Sequence, residues 1–206
     1  ASLNCPPERV YFQHYYNRVD LFKEEKPIVK KDIVFLGNSL TEGGKWADLL
    51  RKKNIRNRGI GGDVAMGVYD RLDQILPGQP KKIFLLIGVN DISHDITVDS
   101  IVNAITRVVD RIQHESPKTK LYLQSLLPIN ESFGRYKRLT GKTSLISEIN
   151  ARLAEIAQTR DVPFINLYPL FAQPGSGILR EELTGDGLHL NEEGYKIWAK
   201  ALKPYL

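Results

Sequence analysis

The chain has 206 residues, with 29 Lys plus Arg against 24 Asp plus Glu and a net charge of +5, and one cysteine, Cys5. That length suits one α/β domain, which would bury roughly 70% of the surface its unfolded chain exposes without help from a metal or a disulfide. A lone cysteine excludes an intrachain disulfide, and Cys5 reads as an inert terminal thiol. The positive charge is scattered over Lys30-Lys31, Arg51-Lys52-Lys53 and Lys81-Lys82, with no interleaved aromatics, so no nucleic-acid surface is expected. No apolar run reaches the ~18 residues of a membrane span. The chain starts at Ala1 with no signal-peptide pattern, which points to processing or trimming.

Residues 1–30 read as an arm followed by a helix. From Val10 to Lys26, Tyr11, Tyr15, Val19 and Phe22 fall at steps of four, four and three and make one apolar face, which Pro27 ends. Ile33–Leu36 is a β-branched, apolar run expected as a buried first strand. It stops at Gly37-Asn38-Ser39, ahead of a short helix over Lys45–Lys53. Asn54–Gly59 is a weaker second strand that runs into Gly59-Ile60-Gly61-Gly62-Asp63. Val64–Leu76 has helical spacing, and Pro77-Gly78-Gln79-Pro80 breaks it.

Lys82–Gly88 is apolar after its lysine, as expected of a strand covered on both faces, with Val89-Asn90-Asp91 as its exit loop. A helix over Thr97–Ser116, a strand over Lys120–Leu126 and a long connection from Leu127 to Thr140 follow. Thr143–Thr159 is helical with Leu145, Ile149, Leu153 and Ile156 inward, and Val162–Asn166 is a fifth strand. Leu167–Gly187 is mostly irregular, with one helical turn near Ile178–Leu183. The last helix, Asn191–Leu202, is capped by Asn191. The alternation predicts a parallel sheet with helices on both faces, and the absence of a repeat or linker predicts a single domain over residues 1–206.

Open sheets of this kind hold ligands at the carboxyl ends of their strands. Ser39 stands there, either as a helix cap or as a nucleophile in need of a base. Among His14, His94, His114 and His189, only His189 has a carboxylate, Asp186, three residues before it in a glycine-containing turn. The carboxylate could hold Nδ1 and leave Nε2 for the serine proton, as in a Ser-His-Asp triad; alternatively Asp186 caps the last helix. His94 is the lesser candidate. Backbone N–H groups of Gly61-Gly62 and of Ser39 or Leu40, with the Asn90 amide, could receive an oxyanion, or could serve only a tight turn and an Asx turn. Gly59-x-Gly61-Gly62 lacks the third glycine of a dinucleotide fingerprint, and no P-loop follows any glycine run.

Four segments occur together in order: IVFLGNSLTEGG, NRGIGGDVAMGVYDRL, FLLIGVNDI and DGLHLNEEGYKIWAKAL. They span Ile33 to Leu202 and resemble the four blocks of the SGNH (GDSL-like) hydrolases, most closely the acetylhydrolase-like branch. The resemblance implies a flavodoxin-like three-layer α/β/α sandwich with a five-stranded parallel sheet. It also implies Ser39 as nucleophile, Asp186 and His189 as the rest of the triad, and Ser39, Gly62 and Asn90 as oxyanion donors. Asn38 stands where the founding motif has Asp, a position that is not itself catalytic.

The expected activity is hydrolysis of short acyl esters, preferably acetyl on carbohydrate, with neither cofactor nor metal. It should rise with pH as an imidazole loses its proton, near pH ~6.5 for an ordinary histidine. A lysophospholipase or thioesterase is the alternative within the enzymes, and a non-catalytic small-ligand or glycan-binding domain the alternative outside them. Asn38, Leu40, Asp63, Phe133 and Tyr136 are candidate substrate contacts, the last two by stacking on a sugar ring or by packing against the domain. A homo-oligomer is compatible with the sequence, and relatives that are exported from bacteria favour a periplasmic or secreted location.

Overall fold

Short apolar runs build the sheet. Strands β1 (Ile33–Gly37), β2 (Ile55–Gly59), β3 (Lys82–Leu86), β4 (Lys120–Gln124) and β5 (Phe164–Ile165) are all parallel and lie in the order β2-β1-β3-β4-β5. This computed structural model describes residues 9–206; Cys5 and the start of the expected arm lie outside the described residues. The strand order is that of flavodoxin-like folds, with its switch point between β1 and β3. Gly37 pairs in register with Gly59 of β2 and Leu86 of β3, so three strands end level and their exits share one edge.

One face carries a row of rings. Phe35, Phe84 and Tyr122 are register partners stacked at 5.1 and 4.7 Å, and Trp46 stacks on Phe35 at 4.6 Å. Trp46 belongs to helix α3 (Trp46–Leu50), after the short α2 (Ser39–Glu42), and meets Trp198 of the last helix, α9 (Glu192–Leu202), edge-on. The strand residues of opposite parity (Val34, Leu36, Ile83, Leu85) are equally buried. They face α4 (Ala65–Tyr69), α6 (Val98–Glu115) and α7 (Thr143–Thr159), which pack side by side. Helix α1 (Gln13–Glu24) buries Tyr15 and Phe22 on Ile60, just past β2. No helix among the described residues is long and apolar enough to cross a membrane.

Several elements depart from the expected ones. The span Val64–Leu76 is not one helix: α4 is followed by 3₁₀ turns at Leu72–Gln74 and Leu76–Gly78. The break turns Arg71 inward, where its guanidinium is buried. Val89-Asn90-Asp91 is not an exit loop but the start of α5 (Val89–Ser93). The buried face of α7 carries Ile146, Asn150 and Ala157 beside the expected Ile149 and Leu153, while the expected Leu145 and Ile156 pack against the same core partly buried. The Asn150 side chain on that face accepts from the N–H of Leu126 at 2.7 Å and donates to its carbonyl at 3.0 Å, past the end of β4. β5 has two residues, because Pro163 has no N–H to give the ladder. A further short helix, α8 (Tyr168–Phe171), follows β5.

Candidate active site

Ser39 opens α2 directly beyond β1. Asn38 is its N-cap, with Oδ1 accepting the Leu40 N–H at 3.0 Å. Asn38 is fully buried in that task, so it is not a substrate contact. Leu40 is likewise core, and its carbonyl accepts from the Tyr195 hydroxyl at 2.7 Å. Ser39 stays half-buried at the mouth, with its N–H among the helix-start donors that lack an intrahelical acceptor. Its Oγ lies 2.9 Å from His189 Nε2.

His189 is held by a tight turn. Asp186 Oδ1 accepts the N–H groups of Leu188 (2.9 Å) and His189 (2.8 Å), while Oδ2 lies 2.7 Å from His189 Nδ1. Gly187 has φ +88°, and a Cβ there would collide with the Asn130 carbonyl, so only glycine fits. The Gly187 carbonyl accepts from Asn130 N at 2.8 Å, locking the turn to the β4 exit. Burial works against the charge of Asp186. The hydrogen bonds from His189, two backbone N–H groups and the Tyr136 hydroxyl outweigh it and hold the carboxyl well below the usual range.

Opposite stands the β2 exit. Gly62 adopts φ +83°, and its N–H has no intramolecular acceptor among the described residues. The neighbouring Gly61 N–H is taken by Glu42 Oε1 at 3.2 Å. Asn90, in the first turn of α5, gives one amide hydrogen to the Asp63 carbonyl at 2.9 Å, which leaves the other to point elsewhere. Asp63 itself is fully buried against Arg71, Oδ2 to Nε 2.9 Å, and cannot reach a substrate. Arg71 also donates to the carbonyls of Arg58 (2.8 Å) and Gly37 (3.0 Å), so one guanidinium ties the ends of β1 and β2 together.

Asp91 clamps the same loop from α5 by accepting the Ala65 N–H at 3.2 Å. Burial, with no cation beside it, pushes its carboxyl up to about 7. A carboxyl raised on folding contributes stability that is full below the unfolded value near 3.8 and is lost as pH rises to about 7. Urea denaturation at pH 4 and pH 8 is therefore expected to show a decline of roughly 2–4 kcal/mol from this group in the native chain and none of it in Asp91→Asn.

The two aromatic candidates differ. Phe133 packs against Gly187, whereas the Tyr136 hydroxyl reaches Asp186 at 2.9 Å and its ring remains exposed beside the Asp186–His189 turn. His94 is exposed at the C-cap of α5. Sequence reasoning missed the N-terminal contribution. The Phe12 ring lies over Gly62, and His14 Nε2 pairs with Glu42 Oε1 at 2.8 Å beside Gly61. Arg18 Nε meets the same oxygen at 3.1 Å. Its only trace was the i, i+4 spacing of His14 and Arg18. Among the described residues, no group of three or more His, Cys, Asp or Glu could hold a metal ion.

A serine, a histidine and an aspartate thus stand in one hydrogen-bonded row at the switch point of the five-stranded parallel sheet. Residues 35–197 match the profile of the GDSL-like lipase/acylhydrolase family, and the chain belongs to that family. Its class is that of the carboxylic ester hydrolases. It is 25% identical over 188 residues to the platelet-activating factor acetylhydrolase IB subunit alpha2 of Rattus norvegicus, covering 88% of this chain and 76% of that one. A structure from Streptococcus pneumonia, provisionally described as a platelet activating factor, is 30% identical with a TM-score of 0.82, covering 94% of this chain and 91% of that one. A mutant of an acetyl-xylooligosaccharide esterase from Geobacillus Stearmophilus shares the fold at 16% identity and a TM-score of 0.69, over 86% of this chain and 94% of that one.

Proposed function

We propose that the protein is a serine esterase of short acyl, above all acetyl, esters. The observation that carries the reading is the continuous relay from Ser39 Oγ to His189 Nε2 (2.9 Å) and from His189 Nδ1 to Asp186 Oδ2 (2.7 Å). His189 Nε2 takes the Ser39 proton as Oγ attacks the ester carbonyl. The new oxyanion is received by the N–H groups of Ser39 and Gly62 and by the second Asn90 amide hydrogen, donors in place before charge develops. Collapse expels the alcohol, which collects its proton from His189. Water, activated by the same imidazole, then releases the acid from Ser39.

An alcohol carried on carbohydrate is preferred. The stretch from Glu131 to Arg138 beside the Asp186–His189 turn is polar and, apart from partly covered Phe133, exposed, which suits a hydrated alcohol better than a lipid tail. Relatives named for acetyl esters of both kinds support the acyl preference more firmly than the alcohol. The test is hydrolysis of p-nitrophenyl acetate, butyrate, octanoate and dodecanoate by the native chain and by Ser39→Ala. Turnover is expected to be highest for acetate, to fall with chain length and to vanish in the variant. Preference for dodecanoate would move the substrate to a lysophospholipid or thioester. Activity retained in Ser39→Ala would remove the serine mechanism, and no turnover on any ester would favour a binding domain.

A further inference from the structure

The Tyr136 hydroxyl stands on the outer side of the His189–Asp186 pair. It donates to Asp186 Oδ2 at 2.9 Å and lies 3.1 Å from His189 Nδ1, while Nδ1 is 2.7 Å from that same Oδ2. The three polar atoms close a triangle. The phenol ring meets the imidazole edge-on, with centroids 5.7 Å apart at 67°. The pair beneath is otherwise open to water: the side chain of His189 is 37% exposed and that of Asp186 19%.

The loop that carries Tyr136 is not free to wander. Leu139, three residues on, is buried in the core. Arg138 Nε donates to the Ser93 carbonyl at 2.8 Å and Lys142 Nζ to the Ile92 carbonyl at 3.1 Å. Both carbonyls belong to α5, the helix that presents Asn90. Burial and the neighbouring carboxylate raise the Tyr136 hydroxyl above its ordinary value, so it stays a donor wherever the enzyme works.

We propose that Tyr136 is a positioning residue of the relay: its hydroxyl shares the Asp186 carboxylate with His189 and keeps the imidazole aimed at Ser39. The inference rests on the triad reading above. An oxygen that accepts two hydrogen bonds gives less of its charge to each donor, so Asp186 stabilises the imidazolium less than an unshared carboxylate would. The hydroxyl also occupies the place from which water would compete for Oδ2, and the ring edge blocks the rotation that would carry Nε2 away from Ser39.

Tyr136→Phe removes the hydroxyl, keeps the ring and leaves the Leu139 anchor alone; a thermal melt checks that the fold is intact. On p-nitrophenyl acetate, kcat is expected to fall about three- to tenfold, the scale of one hydrogen bond. KM should be unchanged, and the acid limb of kcat/KM should move to higher pH by a few tenths of a unit. A pH profile superimposable on that of the native chain would overturn the proposal. So would a rise in KM at constant kcat, which would make Tyr136 a wall of the substrate cleft. Ser39→Ala, assayed in parallel, separates two failures. If it turns over like the native chain, the triad reading itself falls; if it is dead while Tyr136→Phe behaves as native, only the positioning role falls.

Discussion

Ser39→Ala, His189→Ala and the double variant are each expected to lose nearly the same factor in kcat on p-nitrophenyl acetate, roughly 10⁴–10⁶-fold. Without His189 the hydroxyl of Ser39 has no acceptor at 2.9 Å for its proton, and without Ser39 the imidazole has nothing to activate. Removing either abolishes one and the same step, so the losses do not add. The residual rate is what the donors around Gly62 and Asn90 still contribute with water as nucleophile. Steady-state kinetics on the three variants decide the matter. Losses that multiply in the double variant would mean that the two side chains act separately, contrary to the relay.

Arg71→Met is expected to cost about 3–5 kcal/mol of stability at pH 8, the largest effect outside the relay. The substitution leaves the Asp63 carboxylate buried without its cation and strips the carbonyls of Gly37 and Arg58 of a donor. Burial already pushes the Asp63 carboxyl up to about 6 despite Arg71. A carboxyl raised in this way destabilises increasingly as pH climbs, so the cost of Arg71→Met should shrink at pH 5, where Asp63 can take a proton. Adding Asp63→Asn to Arg71→Met should recover part of the loss, since the amide keeps the acceptor for Val64 N and carries no charge. Urea denaturation of the two variants at both pH values reads each of these outcomes. A cost independent of pH would mean that packing, not the stranded carboxylate, sets the penalty.

These two expectations draw on unequal knowledge at the level of sequence. Ser39, Asp186 and His189, the members of the proposed relay, were singled out through the resemblance of four sequence blocks to one family, since each taken alone reads as readily as a helix cap or a turn residue. β1 and β3 were legible because a strand covered on both faces is an unbroken apolar run. Thr143–Thr159 was placed to the residue, since its pattern is long and regular. Arg71 was not legible. Helical spacing continues through it, and nothing local reveals that three partners wait inside for its guanidinium. Asn150 is buried on α7 for a similar reason, tertiary hydrogen bonds to Leu126 that periodicity cannot contain. Tyr136 lies 50 residues from Asp186, and His14 lies 28 from Glu42; loop geometry, not pattern, brings each pair together.

Ser39 and His189 stand 150 residues apart in the chain, although their side chains touch. A ribosome adding about 5–20 residues per second makes the serine roughly 8–30 s before the histidine. Throughout that interval Ser39 is an ordinary alcohol with no base beside it. In the proposed relay the reactivity of Ser39 therefore waits for a turn that follows all five strands in the chain, and the strands can be made and paired before the serine has a base to activate it.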